Sequence, residues 1–157
     1  MSETPIYQDR QTNRVYRDAT EMVNDYLARF GTAVSVELEP LDPDGYTDVR
    51  RGSATVGINV LHEHGILLFL SRIMDVPREV PDGSTREAFF RRLLELNFLV
   101  TSDAAFAVDK DKDAVYLRAL RRLSGLDYEE FEDLLHTMAS VADEWDDRLS
   151  QGFGQEK

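Results

Sequence analysis

The stretch ATVGINVLHEHGILLFLSRIMDVP, residues 54–77, decides how this chain folds. Residues 54–61 and residues 66–74 read as two strands, the second with a heavier apolar load. His62 to Gly65 between them supply a turn, so the pair predicts a β-hairpin. ILLFL at 66–70 is apolar at consecutive positions, which predicts a central strand covered on both faces.

Working outward, Val34, Val36 and Leu38 alternate with Ser35 and Glu37 and predict a half-buried strand. Pro43-Asp44-Gly45 marks a turn. Residues 46–51 read equally as strand or loop. Toward the amino terminus, Val15, Tyr16, Ala19, Met22, Val23, Tyr26, Leu27 and Phe30 form a helical stripe. That helix is expected to begin near Thr12 or Asn13 and to stop at Gly31. Residues 1–11 read as a disordered lead.

On the other side, Ser84-Thr85-Arg86-Glu87 reads as a capping box opening a helix that runs to about Thr101. Residues 104–109 and 114–121 form a second hairpin across the turn KDKD. A last helix runs from Asp127 to Leu149, with residues 150–157 as a flexible tail. The result is one α+β domain over residues 12–149, an antiparallel sheet flanked by helices in the order α-β-β-β-α-β-β-α.

The two later helices differ. Phe131, Leu134, Leu135, Met138, Val141, Ala142, Trp145 and Leu149 occupy one face of the last helix, opposite a solvated acidic face. The middle helix carries two stripes. One is Phe89, Leu93, Leu96 and Val100, and the other is Phe90, Leu94 and Phe98. Together they span roughly 200°, more than one sheet can cover. Either a second subunit covers the surplus, or the first helix or the tail does so within the monomer.

Bulk composition narrows the function. Acidic residues number 30 against 18 basic ones, a net charge of −12 that disfavours nucleic acid and anionic membranes. No cysteine is present, so disulfides and thiolate metal sites are excluded. Neither a signal peptide nor an apolar run long enough to span a bilayer is evident, and the expected location is cytoplasmic.

Motifs of catalysis fail on inspection. Asp109, Asp111 and Asp113 imitate a calcium loop, but Ala114 stands where glycine is needed and Leu120 where glutamate is needed. Gly52 to Gly57 lacks the lysine of a phosphate loop, having Ile58 there. His62-Glu63-His64 reads as a turn, since a zinc-protease helix would need histidine at Ile66. Arg86, Arg91, Arg92, Arg118, Arg121 and Arg122 form the basic clusters, read first as surface ion pairs and second as an anion site. No catalytic residue, cofactor or metal is expected.

The element order, size and acidity resemble the type III secretion chaperone-like family, which includes Tir-type secretion chaperones and YbjN-like proteins. The resemblance runs over residues 12–149. It is carried by the hairpin at 54–77, the helix REAFFRRLLELNFLV, the hairpin AAFAVDKDKDAVYLRALRR and the helix LDYEEFEDLLHTMASVADEW. It implies a non-enzymatic protein, commonly a homodimer, that holds an extended segment of a partner protein. Carried onto this chain, Phe90, Leu94 and Phe98 would lie in the dimer interface. Tyr16, Tyr26, Val34, Val36 and Leu38 would face the partner, although the same positions also read as core. The alternative is a YbjN-like stand-alone regulatory or adaptor protein with no secretion partner.

Overall fold

The computed structural model describes residues 6–78, 84–99 and 103–153. Its elements are β1 (Tyr7–Asp9), β2 (Arg14–Tyr16), α1 (Ala19–Val34), β3 (Tyr46–Arg51), β4 (Ala54–Leu61), β5 (Ile66–Asp75), α2 (Ser84–Leu99), β6 (Ala105–Asp109), β7 (Ala114–Arg122) and α3 (Tyr128–Phe153). Five strands form an antiparallel sheet in the order β3-β4-β5-β7-β6, and β1 and β2 form a separate pair. The α+β class and the order of elements from α1 onward agree with the sequence reading.

The amino-terminal expectations are corrected. Tyr7–Asp9 is a strand rather than part of a structureless lead, and no helix starts at Thr12 or Asn13. Instead Asp9 accepts hydrogen bonds from the Gln11 N–H and the Thr12 hydroxyl, closing a turn in which Asn13 takes a left-handed φ of 60°. The helix begins later because Asp18 caps it, its carboxylate accepting from Glu21 N–H at 2.9 Å. The Glu21 side chain reaches back to Arg17 N–H. This local network satisfies the first-turn donors better than Thr12 or Asn13 could.

The strand expected at Val34–Leu38 is also absent. α1 runs three residues past Gly31 and ends at Ser35, which adopts φ 60° and donates its N–H back to Gly31 and Thr32 carbonyls. Val36 N–H then bonds Gly31 C=O at 2.9 Å, folding the chain against the helix end. Gly31 is required for this closure, since a Cβ there would stand 2.5 Å from the Val36 carbonyl oxygen. Alternation of side chains marks extended backbone, and here that backbone pairs with a helix terminus instead of a sheet. The first strand of the sheet is β3, the segment whose reading was open.

β5 is central, as its composition implies, but it is covered unequally. Leu67 and Phe69 are wholly buried under the helices, while Ile66, Leu68 and Leu70 on the other face keep partial exposure. Across that second face the register aligns Tyr46, Asn59, Leu68 and Leu120, and Tyr46 and Leu120 are exposed. The expectation of cover on both faces is thus corrected.

α3 lies across β3, β4, β5 and β7 and packs against α1. Phe131 joins the layers, with ring centroids 5.7 Å from Tyr26 of α1 and 5.8 Å from Phe69 of β5. α3 continues to Phe153, beyond the expected end at Leu149, and Phe153 packs edge-on to Phe89 of α2. The remainder of the expected tail, 154–157, lies outside the described residues. So do residues 1–5 of the lead, the Ser84 side chain, Val100 and the expected helix end at Thr101.

Candidate partner-binding groove

The end of α1, the looped segment after it, edge strand β3 and the middle of α3 enclose an apolar groove of about 260 Å³. Its lining is Phe30, Val34, Val36, Leu38, Val49, Arg50, Arg51, Leu135, His136 and Ala139. Each wall is fixed. The His136 ring lies 4.8 Å from that of Phe30. Asn24 Oδ1 accepts from Leu41 N–H at 2.8 Å, and the Thr47 hydroxyl donates to the Glu39 carbonyl at 2.9 Å, so the loop is pinned to both α1 and β3. At the far end the Ser53 N–H donates to Asp143 at 3.1 Å and its hydroxyl donates to Asp146 at 2.7 Å, clamping the β3–β4 turn onto α3.

Three of the five residues expected to face a partner, Val34, Val36 and Leu38, therefore meet in one groove, although not on a strand. Val34 and Val36 are exposed at 37% and 55%. Tyr16 and Tyr26 take the other of their two readings and are buried in the core. The Tyr26 hydroxyl donates to the Leu126 carbonyl at 2.7 Å, and Tyr16 donates to Asp25 at 2.6 Å. Burial, followed by the Asp25 bond, pushes the Tyr16 phenol up to about 12. Burial, followed by the charge of Asp9, raises that of Tyr26 further. Tyr16 ends β2 and packs edge-on to Tyr26 of α1, with ring centroids 5.9 Å apart, so both side chains serve the interior.

On α2 the two stripes separate. Phe89, Leu93 and Leu96 are buried, and Phe90 is half-buried beside Phe89 with the Arg86 guanidinium over its ring. Leu94 and Phe98 stand 69% and 88% exposed, with Leu99 beside them. Among the described residues neither α1 nor α3 covers Leu94 or Phe98.

Other sequence candidates resolve simply. Arg91 and Arg92 pair with Glu95, and Arg121 pairs with Asp103. Asp109 accepts from the N–H groups of Asp111 and Lys112, making a charged hairpin turn. His62 sits near the Thr20 hydroxyl. Among the described residues no group of three or more His, Cys, Asp or Glu could hold a metal, and no helix is long and apolar enough to cross a membrane. Sequence reasoning missed Phe30 as groove wall, and also Arg50, Arg51, His136 and Ala139. They lie far apart in the chain, and only the docking of α3 onto β3 joins them.

The fold matches that of solved type III secretion chaperones. The chain matches the ExsC–ExsE complex at 24% identity and TM-score 0.62, covering 84% of this chain and 96% of that one. It matches the heterodimeric ExoU–SpcU complex from the type III secretion system of Pseudomonas aeruginosa at 18% identity and TM-score 0.58, covering 80% and 96%. It matches the HopA1–SchA chaperone–effector complex at 11% identity and TM-score 0.57, covering 80% and 97%. No curated protein matches the sequence. The model of the Tir chaperone protein (CesT) family matches residues 25–146, and the chain belongs to that family.

Proposed function

We propose that this protein is a non-enzymatic, cytoplasmic chaperone that holds an extended segment of a partner protein, acting as a homodimer without a cofactor. One observation carries the reading: a preformed apolar groove lies open beside β3, the edge strand of the sheet. An edge strand offers unpaired backbone groups to an added strand, and the groove offers a place for its alternate side chains. The chaperone–effector relatives of this fold support the same use.

Val36 is the position to test, because it is exposed and its substitution spares the core. A Val36→Asp variant would place a carboxylate where the partner buries apolar surface. Loss of that burial together with charge desolvation should weaken capture at least about tenfold. Candidate partners are the products of neighbouring genes, coexpressed with this chain. The measurement is copurification, together with protection of one partner segment from protease. Equal capture and protection by Val36→Asp, with an unchanged melting temperature, would show that the groove is not the site. A folded dimer that protects no candidate segment would indicate the stand-alone adaptor instead.

The dimer is assigned to the exposed stripe of α2. Phe90 is a minor contributor because it is already half-buried. Leu94→Glu with Phe98→Glu should convert the dimer to monomer in sedimentation velocity, with little change in the far-ultraviolet spectrum. A doubly substituted protein that still sediments as a dimer sinks this assignment.

A further inference from the structure

We infer that the groove selects an acidic segment, one whose apolar anchor residue is flanked by Asp or Glu. The inference rests on the groove being the partner site and adds the chemistry of the partner. β3 alternates in burial, with Thr47 and Val49 inward and Asp48 and Arg50 outward. Arg51 follows at the rim, on the same side as Val49. Arg50 and Arg51 both line the groove and are exposed. Among the described residues neither forms an ion pair, although acidic residues outnumber basic ones in the chain. Asp143 and Asp146 of α3 bond Ser53 instead. Glu37 and Glu39 belong to the opposite wall and do not line the groove.

A strand added along β3 presents alternate side chains to the two faces of the sheet. The residue that enters the groove opposite Val49 is apolar. Its immediate neighbour on one side points to the outer face and meets Arg50. The next residue on the inner face meets Arg51. Opposite charges across paired strands attract and like charges repel, so carboxylates at those two positions are favoured over lysines. Asp48 shares the outer face with Arg50, so the segment is expected to lose its acidity at the position opposite Asp48.

The test uses the full chain and short fluorescein-labelled peptides in which a Leu anchor carries Asp, Ser or Lys at both of the next two positions on one side and Ser on the other side, made in both chain directions. Binding is read by fluorescence anisotropy. The net charge of −12 favours the Lys peptide at long range, so preference for Asp would report the local arginines. The expected result is binding of the Asp peptide about tenfold tighter than the Lys peptide, with Ser between. Arg50→Glu with Arg51→Glu should invert the order, and Arg50→Gln with Arg51→Gln should level it, both at an unchanged melting temperature. Lys binding as well as or better than Asp in the unsubstituted protein overturns the inference. If that binding is still lost in Val36→Asp, the groove remains the site and only its charge preference is wrong. If no peptide binds in a Val36-dependent way, the groove reading and the charge preference fail together.

Discussion

Replacing Phe131 with Ala should lower folding stability by about 3–5 kcal/mol. Phe131 has no solvent exposure and sits at the first turn of α3, where helix, sheet and α1 meet. Its ring contacts Tyr26 on one side and Phe69 on the other. Truncation removes the burial of a whole aromatic ring and leaves a void between two layers that are each held by other contacts. Tyr26 cannot swing into that space without breaking its bond to the Leu126 carbonyl, and Phe69 is held in the central strand. The void therefore persists, which places the cost toward the upper end of the range. Urea unfolding should show a lower midpoint at unchanged slope. A loss below about 1 kcal/mol would mean that α3 is not anchored at this point.

Replacing Asp9 with Ala should cost about 2 kcal/mol, the second-largest effect expected. Asp9 is a buried carboxylate in a hairpin of short strands. It accepts from Arg29 Nη1 at 2.6 Å as well as from Gln11 and Thr12. Arg29 in turn lies 4.1 Å over the Tyr128 ring, so one ion pair ties β1 to both α1 and α3. Without Asp9, Arg29 is left against aromatic faces with Asp25 at 3.9 Å as its remaining carboxylate. Arg29 keeps 31% side-chain exposure, which lets water recover part of the loss and holds the estimate below that for a fully buried pair.

The same pair gives a pH dependence. Burial would raise the Asp9 carboxyl, but the Arg29 bond, the Gln11 N–H and the guanidinium charge together hold it below the ordinary 3.8. A depressed carboxyl contributes stability that is present above 3.8 and is lost as pH falls through the lower folded value. The unsubstituted protein should therefore lose stability in that acid window, and Asp9→Asn should lose less there. Parallel curves for the two proteins would remove Asp9 from the account.

How much was legible along the chain follows from which forces are local. The hairpins β4–β5 and β6–β7, with their alternating side chains and turn residues, are set by neighbours a few residues apart. So is α3, whose stripe survives in the structure as Phe131, Leu134, Leu135, Met138, Ala142, Trp145 and Leu149. The surplus on α2 was visible as an arc, and its outer half is indeed exposed at Leu94 and Phe98.

Three readings turned on a local pattern with two physical uses. Val34, Val36 and Leu38 alternate, but a helix terminus offered Val36 a carbonyl before any strand could. Thr12 and Asn13 resemble helix caps, but a buried Asp9 used Thr12 to close a turn. Tyr16 and Tyr26 are amphipathic and suit either a surface or a core. Their place was decided by Asp25 and the Leu126 carbonyl, and Leu126 is remote in sequence.

By itself the sequence determined the α+β class, the two main hairpins, the amphipathic helices and the acidic surface, because periodicity and charge are written in consecutive residues. The tertiary structure alone decided that β3 is an edge, that the segment after α1 is a loop, and that α3 closes a groove over both. Those outcomes depend on contacts between residues as distant as Phe30 and His136 or Ser53 and Asp143. No local pattern encodes them, because each is settled by which surfaces the whole chain must bury together.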